Sequence, residues 1–410
     1  MTRSDNKASS AYSEAAAGPP SGMRTLVLTL DATWPAISGA DLRNWQNAKA
    51  ASDLGPVALA SVTAAAEPPP APIACYSLTD RPLGSVWRQA PTTAPADLII
   101  PDDARDGLRR ALEAFAPDTL LVEHPALAGL AAEVRGHGMR LVVDLHNVES
   151  AAEARMAAAL PFTSRRRWRT RRASRASAQA ERAIAAAADA VWVCSGDEEI
   201  RFRSLTRPPP VHIVPNGIPR SRILSTGLPA MREAAPGEIR LLFVGHLGYP
   251  PNIDATQRLA RDILPALRER LDARLVLAGR SPAPDVQALD ADPGIDVIAD
   301  PDDLEPVLAD ADIAVLPIRL GGGTRFKVLE AMSRGLPVVA TRFAVEGLEL
   351  TDHLHYREAE KTGDFVATIS GLAADPAERS RLREAVWSHC FETFGPEAIA
   401  RAVRAGLVGP

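Results

Sequence analysis

One stretch of the sequence, from Ile313 to Thr341, constrains the fold more than any other. It reads IAVLPIRLGGGTRFKVLEAMSRGLPVVAT, in which an apolar run is followed by three glycines, a helical pattern and a second apolar run. Strand, glycine loop, helix and strand in this order predict one βαβ unit of a parallel sheet. Glycines let the backbone approach a ligand closely, and the helix behind them offers free N–H groups and a positive dipole end. The stretch therefore predicts a phosphate-binding loop.

The same alternation of short apolar runs and helical stretches fills most of the chain. We predict strands at residues 25–30, 57–62, 73–76, 119–122, 141–145, 190–194 and 211–214, and again at 240–244, 274–277, 296–298, 313–316 and 338–340. Helical stretches lie at 42–53, 102–115, 125–137 and 149–188, the last broken near Pro161. This order predicts an α/β protein with two Rossmann-like, doubly wound parallel-sheet domains in series.

The length of the chain also favours two domains, because 410 residues exceed one ordinary core. We predict a disordered tail at 1–22, a first domain at 23–217, a linker rich in Pro, Gly and Ser at 218–237, a second domain at 238–375 and terminal helices at 376–410. The terminal stretch is helical in pattern throughout, and Trp387, Phe391 and Phe394 are spaced to share one apolar face.

The balance of charge restricts the partners and the location of the protein. The 46 basic and 51 acidic residues give a net charge of −5, which argues against nucleic-acid binding over the whole surface. The three cysteines match no metal-ligand spacing. No window reaches the roughly 18 uninterrupted apolar residues of a membrane span, and the first 22 residues lack the apolar core of a secretory signal. These features predict a cytoplasmic protein.

Small and polar residues follow the predicted strands of both domains. His146 and Asn147 come after one strand of the first domain. Gly245 and His246 follow one strand of the second, and Gly279 with Arg280 another; the triple glycine follows a third. Ligands of open parallel sheets bind beyond the carboxyl ends of the strands, so these residues predict a binding site in each domain. For each of these residues taken by itself, the alternative is an ordinary polar turn at the end of a strand.

Two cations, Arg325 and Lys327, fall in the first turn of the helix behind the glycines, where the dipole disfavours a cation. An anion held between these side chains and the backbone amides accounts for them, and Thr324 is placed to cap the helix. Glu330 shares a face with Lys327, beside the predicted phosphate, where a carboxylate can accept hydrogen bonds from a ribose diol. The alternative is a surface ion pair between Lys327 and Glu330, which contributes about 0.2–0.5 kcal/mol.

Several segments of the sequence resemble motifs of a known family. GGGTRFKVLEAMSRGLPVVATRFAVEGLEL is similar to the donor-binding signature of glycosyltransferase family 4, of the GT-B fold, in its branch with a GGGTRxKxLEAM loop. VGHLGYPPNIDA resembles the opening motif of the family's second domain and VVDLHNVES its histidine motif. AVWVCSGDE and VPNGI resemble two further segments, in the family's order. The resemblance covers about residues 24 to 350 and is specific for the family, not for one sugar.

The resemblance implies a retaining enzyme that moves a glycosyl group from a nucleotide-sugar to an acceptor across a central cleft. The acceptor, which is a glycan, a lipid-linked molecule or a small molecule, would sit on the first domain, and the terminal helices would cross back to that domain. No cofactor is expected, because the nucleotide-sugar is a substrate, and no DxD-type pair stands in a convincing place for a metal. The residues that we predict are His146, Lys327 and Arg325 for catalysis; Gly245, His246, Arg280, Gly321, Gly322, Gly323, Thr324 and Glu330 for the donor; and Ser38, Gly39 and Asn147 on the acceptor side.

The sequence departs from the family pattern at two places. Glu330 matches the second glutamate of the EX7E motif, but the first would fall at Gly322. The usual Arg/Lys pair after the first strand of the second domain is also missing, with His246 and Tyr249 in that region. Two alternatives therefore stay open: a catalytically silent protein that binds sugar nucleotides, and a GT-B sugar-nucleotide epimerase.

A basic run, RRRWRTRRASR from Arg165 to Arg175, interrupts an acidic sequence. One interpretation is a patch that contacts an anionic membrane surface or an anionic acceptor, with the aromatic ring at headgroup level. The other is a solvated helix face. No recognition fold for nucleic acid surrounds the run. The residues predicted to touch the inner face of the membrane are Arg165, Arg166, Arg167, Trp168, Arg169, Arg171 and Arg172.

Overall fold

The computed structural model describes most of both predicted domains. The described residues are 22–34, 36, 38–64, 67–70, 72–81, 102–136, 138–218, 227–230, 232, 238–321 and 326–409. The predicted disordered tail, apart from its last residue, and most of the predicted linker lie outside them. So do four predicted site residues, which are Gly322, Gly323, Thr324 and Arg325.

The first domain is built on a parallel sheet of seven strands in the order β3-β2-β1-β4-β5-β6-β7. The strands are β1 (Thr25–Thr29), β2 (Val57–Ser61), β3 (Ala74–Ser77), β4 (Thr119–Val122), β5 (Arg140–Leu145), β6 (Ala190–Val193) and β7 (Val211–Ile213). Its helices are α1 (Gly39–Ala51), α2 (Asp102–Phe115), α3 (Ala128–Val134), α4 (Glu149–Ala159), α5 (Arg165–Ala187) and α6 (Gly196–Leu205). The strand order reverses between β1 and β4, which is where a doubly wound sheet forms its binding crevice.

The second domain is built on a parallel sheet of six strands in the order β10-β9-β8-β11-β12-β13. The strands are β8 (Glu238–Val244), β9 (Asp272–Gly279), β10 (Ile295–Ala299), β11 (Ile313–Leu316), β12 (Val338–Ala340) and β13 (Arg357–Glu358). The helices are α7 (Pro250–Arg258), α8 (Leu264–Arg268), α9 (Pro284–Gln287), α10 (Glu305–Ala309), α11 (Phe326–Ser333), α12 (Thr362–Ala374), α13 (Pro376–Phe394) and α14 (Pro396–Val408). A π-helical turn, Leu259–Ile263, joins α7 to α8.

Continuous apolar runs form the central strands because helices cover both faces of each sheet. Leu26 and Leu28 of β1 belong to one hydrophobic cluster of the first domain, and Val27 between them belongs to a second cluster on the opposite face. A third cluster fills the second domain. The predicted strands at 119–122, 313–316 and 338–340 agree with the structure residue for residue.

The terminal helical stretch is divided, which differs from the uninterrupted pattern that we expected. Gly395 ends α13, and Pro396 begins α14. Proline lacks the N–H and fixes its backbone angle, so it starts a helix more readily than it continues one. α13 packs into the core of the second domain through Cys390 and Phe394. α14 packs on the first sheet, where its Gly406 lies against the ring of Trp192.

Candidate active site

The N-terminus of α1 meets the start of α11 from the other domain. Ser38 caps α1: its Oγ accepts from the Asp41 N–H at 3.2 Å, while its own N–H donates to Asp41 Oδ2 at 2.8 Å. This reciprocal pair is a capping box, which fixes where the helix begins. A β-carbon on Gly39 would lie 2.6 Å from Cδ2 of Phe326, so the contact depends on glycine. Two predicted site segments, one from each domain, therefore touch.

The register of the first sheet brings two carboxyl groups together at its carboxyl edge. Val122 of β4 pairs with Val143 of β5, so the next residues, Glu123 and Asp144, are neighbours. Arg43 of α1 donates to both Asp144 oxygens, from Nε at 2.6 Å and from Nη2 at 2.7 Å. Its Nη1 donates to the Val214 carbonyl at 2.8 Å. All of this lies in the protein interior, with Arg43 and both carboxyl groups buried.

The two carboxyl groups differ in protonation because their partners differ. Burial and the neighbouring charge of Asp144 raise the pKa of Glu123 well above its ordinary value. Burial would also raise the pKa of Asp144, but the charge and hydrogen bonds of Arg43 outweigh it and lower that pKa. The two shifts favour one arrangement of the pair, with the negative charge on Asp144 beside Arg43 and the proton on Glu123.

His146 lies at the surface end of this buried group. Its Nε2 is 3.4 Å from Glu123 Oε2 and 3.7 Å from Asp144 Oδ2. Burial lowers the pKa of His146 to about 4, against the opposing charge of Asp144, so the ring is neutral at physiological pH. The neighbouring Asn147 donates to Glu149 Oε1 at 3.3 Å, at the first residue of α4.

Glu123, Asp144 and His146 are the one group of three potential metal ligands within the described ranges, with ligand atoms inside 4.8 Å. A guanidinium already binds both oxygens of Asp144, and a divalent cation beside it would meet like charge. The arrangement is that of a buried ion-pair network and fits a resident metal poorly. It is built from side chains of α1, β5 and the residues that follow β4 and β5.

On the second domain, Lys327 of α11 reaches the predicted glycine turn after β8. Its Nζ donates to Asn252 Oδ1 at 2.6 Å, and Asn252 Nδ2 in turn donates to the carbonyl of His246 at 2.8 Å. A β-carbon on Gly245 would lie 3.6 Å from Lys327 Cε. The ammonium group, the turn at Gly245 and the start of α7 are thus held together.

The remaining described donor-side residues border this group. Gly279 has φ +150, and a β-carbon there would lie 1.7 Å from the carbonyl oxygen of Gly245, so the two turns pack backbone on backbone. Gly321 has φ +119, a conformation that favours glycine, and it lies beside Pro251. The side chains of His246 and Arg280 are exposed, and that of Glu330 is half-buried on α11.

An ionic contact that the sequence did not reveal joins the two domains. Glu346, after β12, accepts from Arg155 Nη1 of α4 at 2.8 and 3.0 Å. Arg201 of α6 donates to the same carboxylate. Arg43, Glu123 and Glu346 were all missed by sequence reasoning. Glu123 could have been found, because it directly follows a predicted strand at the edge where His146 was recognised.

Two family models match the chain in succession. Residues 15–217 match the "Glycosyl transferase 4-like domain", and residues 238–375 match "Glycosyl transferases group 1". The chain belongs to glycosyltransferase family 4. The predicted family and the predicted enzyme class, a transferase, are confirmed. No curated protein sequence matches the glycosyltransferase.

Solved structures share the fold of this glycosyltransferase over nearly its whole length. Sucrose-phosphate synthase from Thermosynechococcus elongatus has a TM-score of 0.64 at 17% identity, covering 92% of this chain and 96% of that one. WaaG, a glycosyltransferase involved in lipopolysaccharide biosynthesis, has a TM-score of 0.66 at 16% identity, covering 94% and 100%. Anabaena HepE in complex with UDP and glucose has a TM-score of 0.63 at 13% identity, covering 95% and 100%. These likenesses confirm the two-domain GT-B fold.

Proposed function

We propose that this glycosyltransferase moves a glycosyl group from a nucleoside-diphosphate sugar to a hydroxyl of an acceptor bound on the first domain. The observation that carries the proposal is the contact between Gly39 and Phe326. It brings the N-terminus of α1, with the His146 network beneath it, against the start of α11, one residue before Lys327. An acceptor hydroxyl and a donor diphosphate can therefore approach each other at one place.

The donor side supports stabilisation of a diphosphate leaving group. Lys327 supplies a positive charge beside the turn at Gly245, and α11 directs its N-terminus towards the glycine loop. Arg325, in the part of that loop outside the described residues, would add a second cation. Glu330 would accept hydrogen bonds from the ribose. A charge lowers the barrier most when it is already in position before the leaving group departs. Asn252 holds Lys327 in this way.

The acceptor side supports retention of configuration. Inversion needs a general base, for which His146 and Asp144, at the carboxyl end of β5, are the candidates. Burial lowers the pKa of His146 to about 4, which makes it a weak base, and both oxygens of Asp144 are bound by Arg43. Attack on the same face as the departing diphosphate, with a phosphate oxygen taking the acceptor proton, requires neither group. We further propose that the charge on the diphosphate is met by these cations without a metal ion.

A transfer assay tests the proposal. The enzyme is screened for thermal stabilisation with UDP-, GDP-, ADP- and dTDP-sugars, since a ligand of the native state raises its melting temperature. The stabilising donor is then incubated with an acceptor panel, with and without EDTA, and NMR gives the anomeric configuration of the product. Acceptor-dependent product with the donor's configuration, unchanged by EDTA, is expected. Product formed without acceptor would identify an epimerase, and binding without turnover would favour the silent alternative.

The basic run supports a second part of the proposal, peripheral contact with an anionic membrane. The run forms the first turns of α5, and Trp168 there is 64% exposed. The preceding Phe162 is 87% exposed, with Arg167 over its ring at 4.0 Å. Two exposed aromatic rings among arginines are typical of a surface that lies at lipid headgroups. No helix among the described residues is long and apolar enough to cross a bilayer.

A further inference from the structure

Three polar groups converge on one nitrogen of His146. The amide group of Asn44, in the orientation that satisfies both of its atoms, places its nitrogen 3.1 Å from His146 Nε2. Glu123 Oε2 lies 3.4 Å from the same nitrogen, and Asp144 Oδ2 lies 3.7 Å from it. The side chains of both acids are completely buried, whereas that of His146 is 17% exposed. His146 is therefore the member of this group that a ligand can reach.

The surroundings of Asn44 decide which nitrogen of His146 carries the proton. Its amide nitrogen lies 3.0 Å from the carbonyl oxygen of Ala40, which can only accept a hydrogen bond, and 3.2 Å from Glu123 Oε2. The amide nitrogen is thus a donor, and an N–H on His146 Nε2 would face this second donor at 3.1 Å, so Nε2 is the acceptor. A neutral imidazole that accepts at Nε2 carries its proton at Nδ1.

Glu123 supports the same tautomer. Asn47 donates to Glu123 Oε1 at 3.1 Å and to Asp144 Oδ2 at 3.3 Å, which fixes the pair of acids beneath the ring. A charged carboxylate 3.4 Å from Nε2 would attract a proton to that nitrogen. A neutral acid does not, and burial beside Asp144 raises the pKa of Glu123, which favours the neutral form.

We propose that Asn44 and Glu123 are positioning residues that hold His146, a predicted catalytic residue, as the Nδ1–H tautomer. The proposal rests on the proposed function, because it makes this tautomer a condition for the transfer reaction. It assigns the buried acid a role that requires it to be protonated. Neither Asn44 nor Glu123 touches the substrate; both act through the ring.

The tautomer can be measured directly with ¹⁵N-labelled histidine. Two-bond ¹⁵N–¹H correlation spectra at pH 7.5 distinguish the two neutral tautomers, and the His146 signals are identified by their loss in His146→Gln. We expect Nδ1–H in the wild type and in Glu123→Gln, since the amide preserves a neutral side chain. In Asn44→Asp the new carboxylate should draw the proton to Nε2. Its kcat should fall by about 10- to 100-fold, with the donor KM little changed.

The control is Ser177→Ala, which removes a buried hydroxyl that donates to Glu153 at 2.8 Å, away from His146. It should leave both the tautomer and kcat unchanged. An Nε2–H tautomer in the wild type would overturn the proposal. So would an unchanged tautomer in Asn44→Asp with activity that merely follows melting temperature, because that indicates a structural role. If the wild type shows Nδ1–H but no donor is turned over, the proposed function fails while the assignment of the tautomer stands.

Discussion

Gly39 of the first domain lies so close to Phe326 of the second that a β-carbon would come within 2.6 Å of the ring. The contact sets the distance between α1 and α11, and thereby between the two predicted halves of the site. Gly39→Ala should push these segments apart. A displacement of about 1 Å at a reacting centre can lower the rate by about 100-fold. We expect kcat/KM for the acceptor to fall by about 10- to 100-fold, with little change in melting temperature.

A compensating variant provides the control for this prediction. Phe326→Val shortens the side chain that the new methyl group meets, so the double variant Gly39→Ala/Phe326→Val should recover part of the lost activity. A double-mutant cycle on kcat/KM measures the coupling between the two sites. Additive effects of the two changes would show that their contact does not set the geometry of the site.

Lys327→Ala should abolish most of the transfer activity, because it removes the cation held beside Gly245 by Asn252. Loss of one preorganised group at a developing charge costs about 100- to 1,000-fold in kcat. Glu330→Ala should mainly raise the donor KM. Arg270→Ala, an exposed arginine of the same domain, is the matched control and should behave as the wild type. Wild-type kinetics in both site variants would show that the donor site lies elsewhere.

The ion pair between Arg43 and Asp144 should be a major determinant of stability. Arg43→Met leaves a buried carboxylate without its guanidinium, and breaking such a pair costs about 3–5 kcal/mol. Because an apolar pair needs no compensation of charge, Arg43→Met/Asp144→Leu should lose less stability than Arg43→Met alone. Urea unfolding followed by circular dichroism gives the free energies of unfolding. A double variant less stable than the single one would contradict this account.

The hairpin of α4 and α5 should make the stability depend on pH. Burial raises the pKa of Glu153 to about 7 and that of Glu181 to about 7. A raised folded-state pKa means that the native state binds the proton more tightly, so the free energy of unfolding falls as pH rises from about 4.5 to 7. Glu181→Gln should therefore be more stable than the wild type at pH 8, by about 1–3 kcal/mol, but not at pH 4.5. Urea unfolding at both pH values tests this, with the exposed Glu269→Gln as control.

The basic start of α5 should bind anionic vesicles. Each arginine near an anionic surface contributes about 1 kcal/mol, so changing Arg165, Arg166 and Arg169 to Gln should weaken binding by about 100-fold. Co-sedimentation with vesicles of phosphatidylglycerol and phosphatidylcholine measures this, and pure phosphatidylcholine is the negative control. The matched variant changes three other exposed arginines, Arg109, Arg110 and Arg203, and should retain binding. Binding unaffected by either set would leave the run as a solvated helix face.

Much of the fold could be predicted because its signals are local. The run from Ile313 to Leu316 is apolar, short and stopped by proline, so a buried parallel strand accounts for it without reference to any other segment. The glycines at the end of β9 and in the turns after β8 and β11 likewise indicate close backbone approach, and Gly279 and Gly321 adopt the conformations that require them. The resemblance to the family motifs adds the expectation that these turns bind the nucleotide-sugar donor.

The buried charges could not be predicted, because their partners lie far away in sequence. Arg43 and Asp144 are 101 positions apart, and Arg155 is 191 positions from Glu346. Along the chain, Arg43 looks like a solvent-exposed residue of a polar helix, and Glu346 like part of a surface loop. A strand with its own apolar run has a local signal, so the sequence alone predicted twelve of the thirteen strands in the described residues. The two-residue strand β13, Arg357–Glu358, has no apolar run and was not predicted. The location and protonation of a buried charge depend on sheet register and domain packing, and only the tertiary structure determined those.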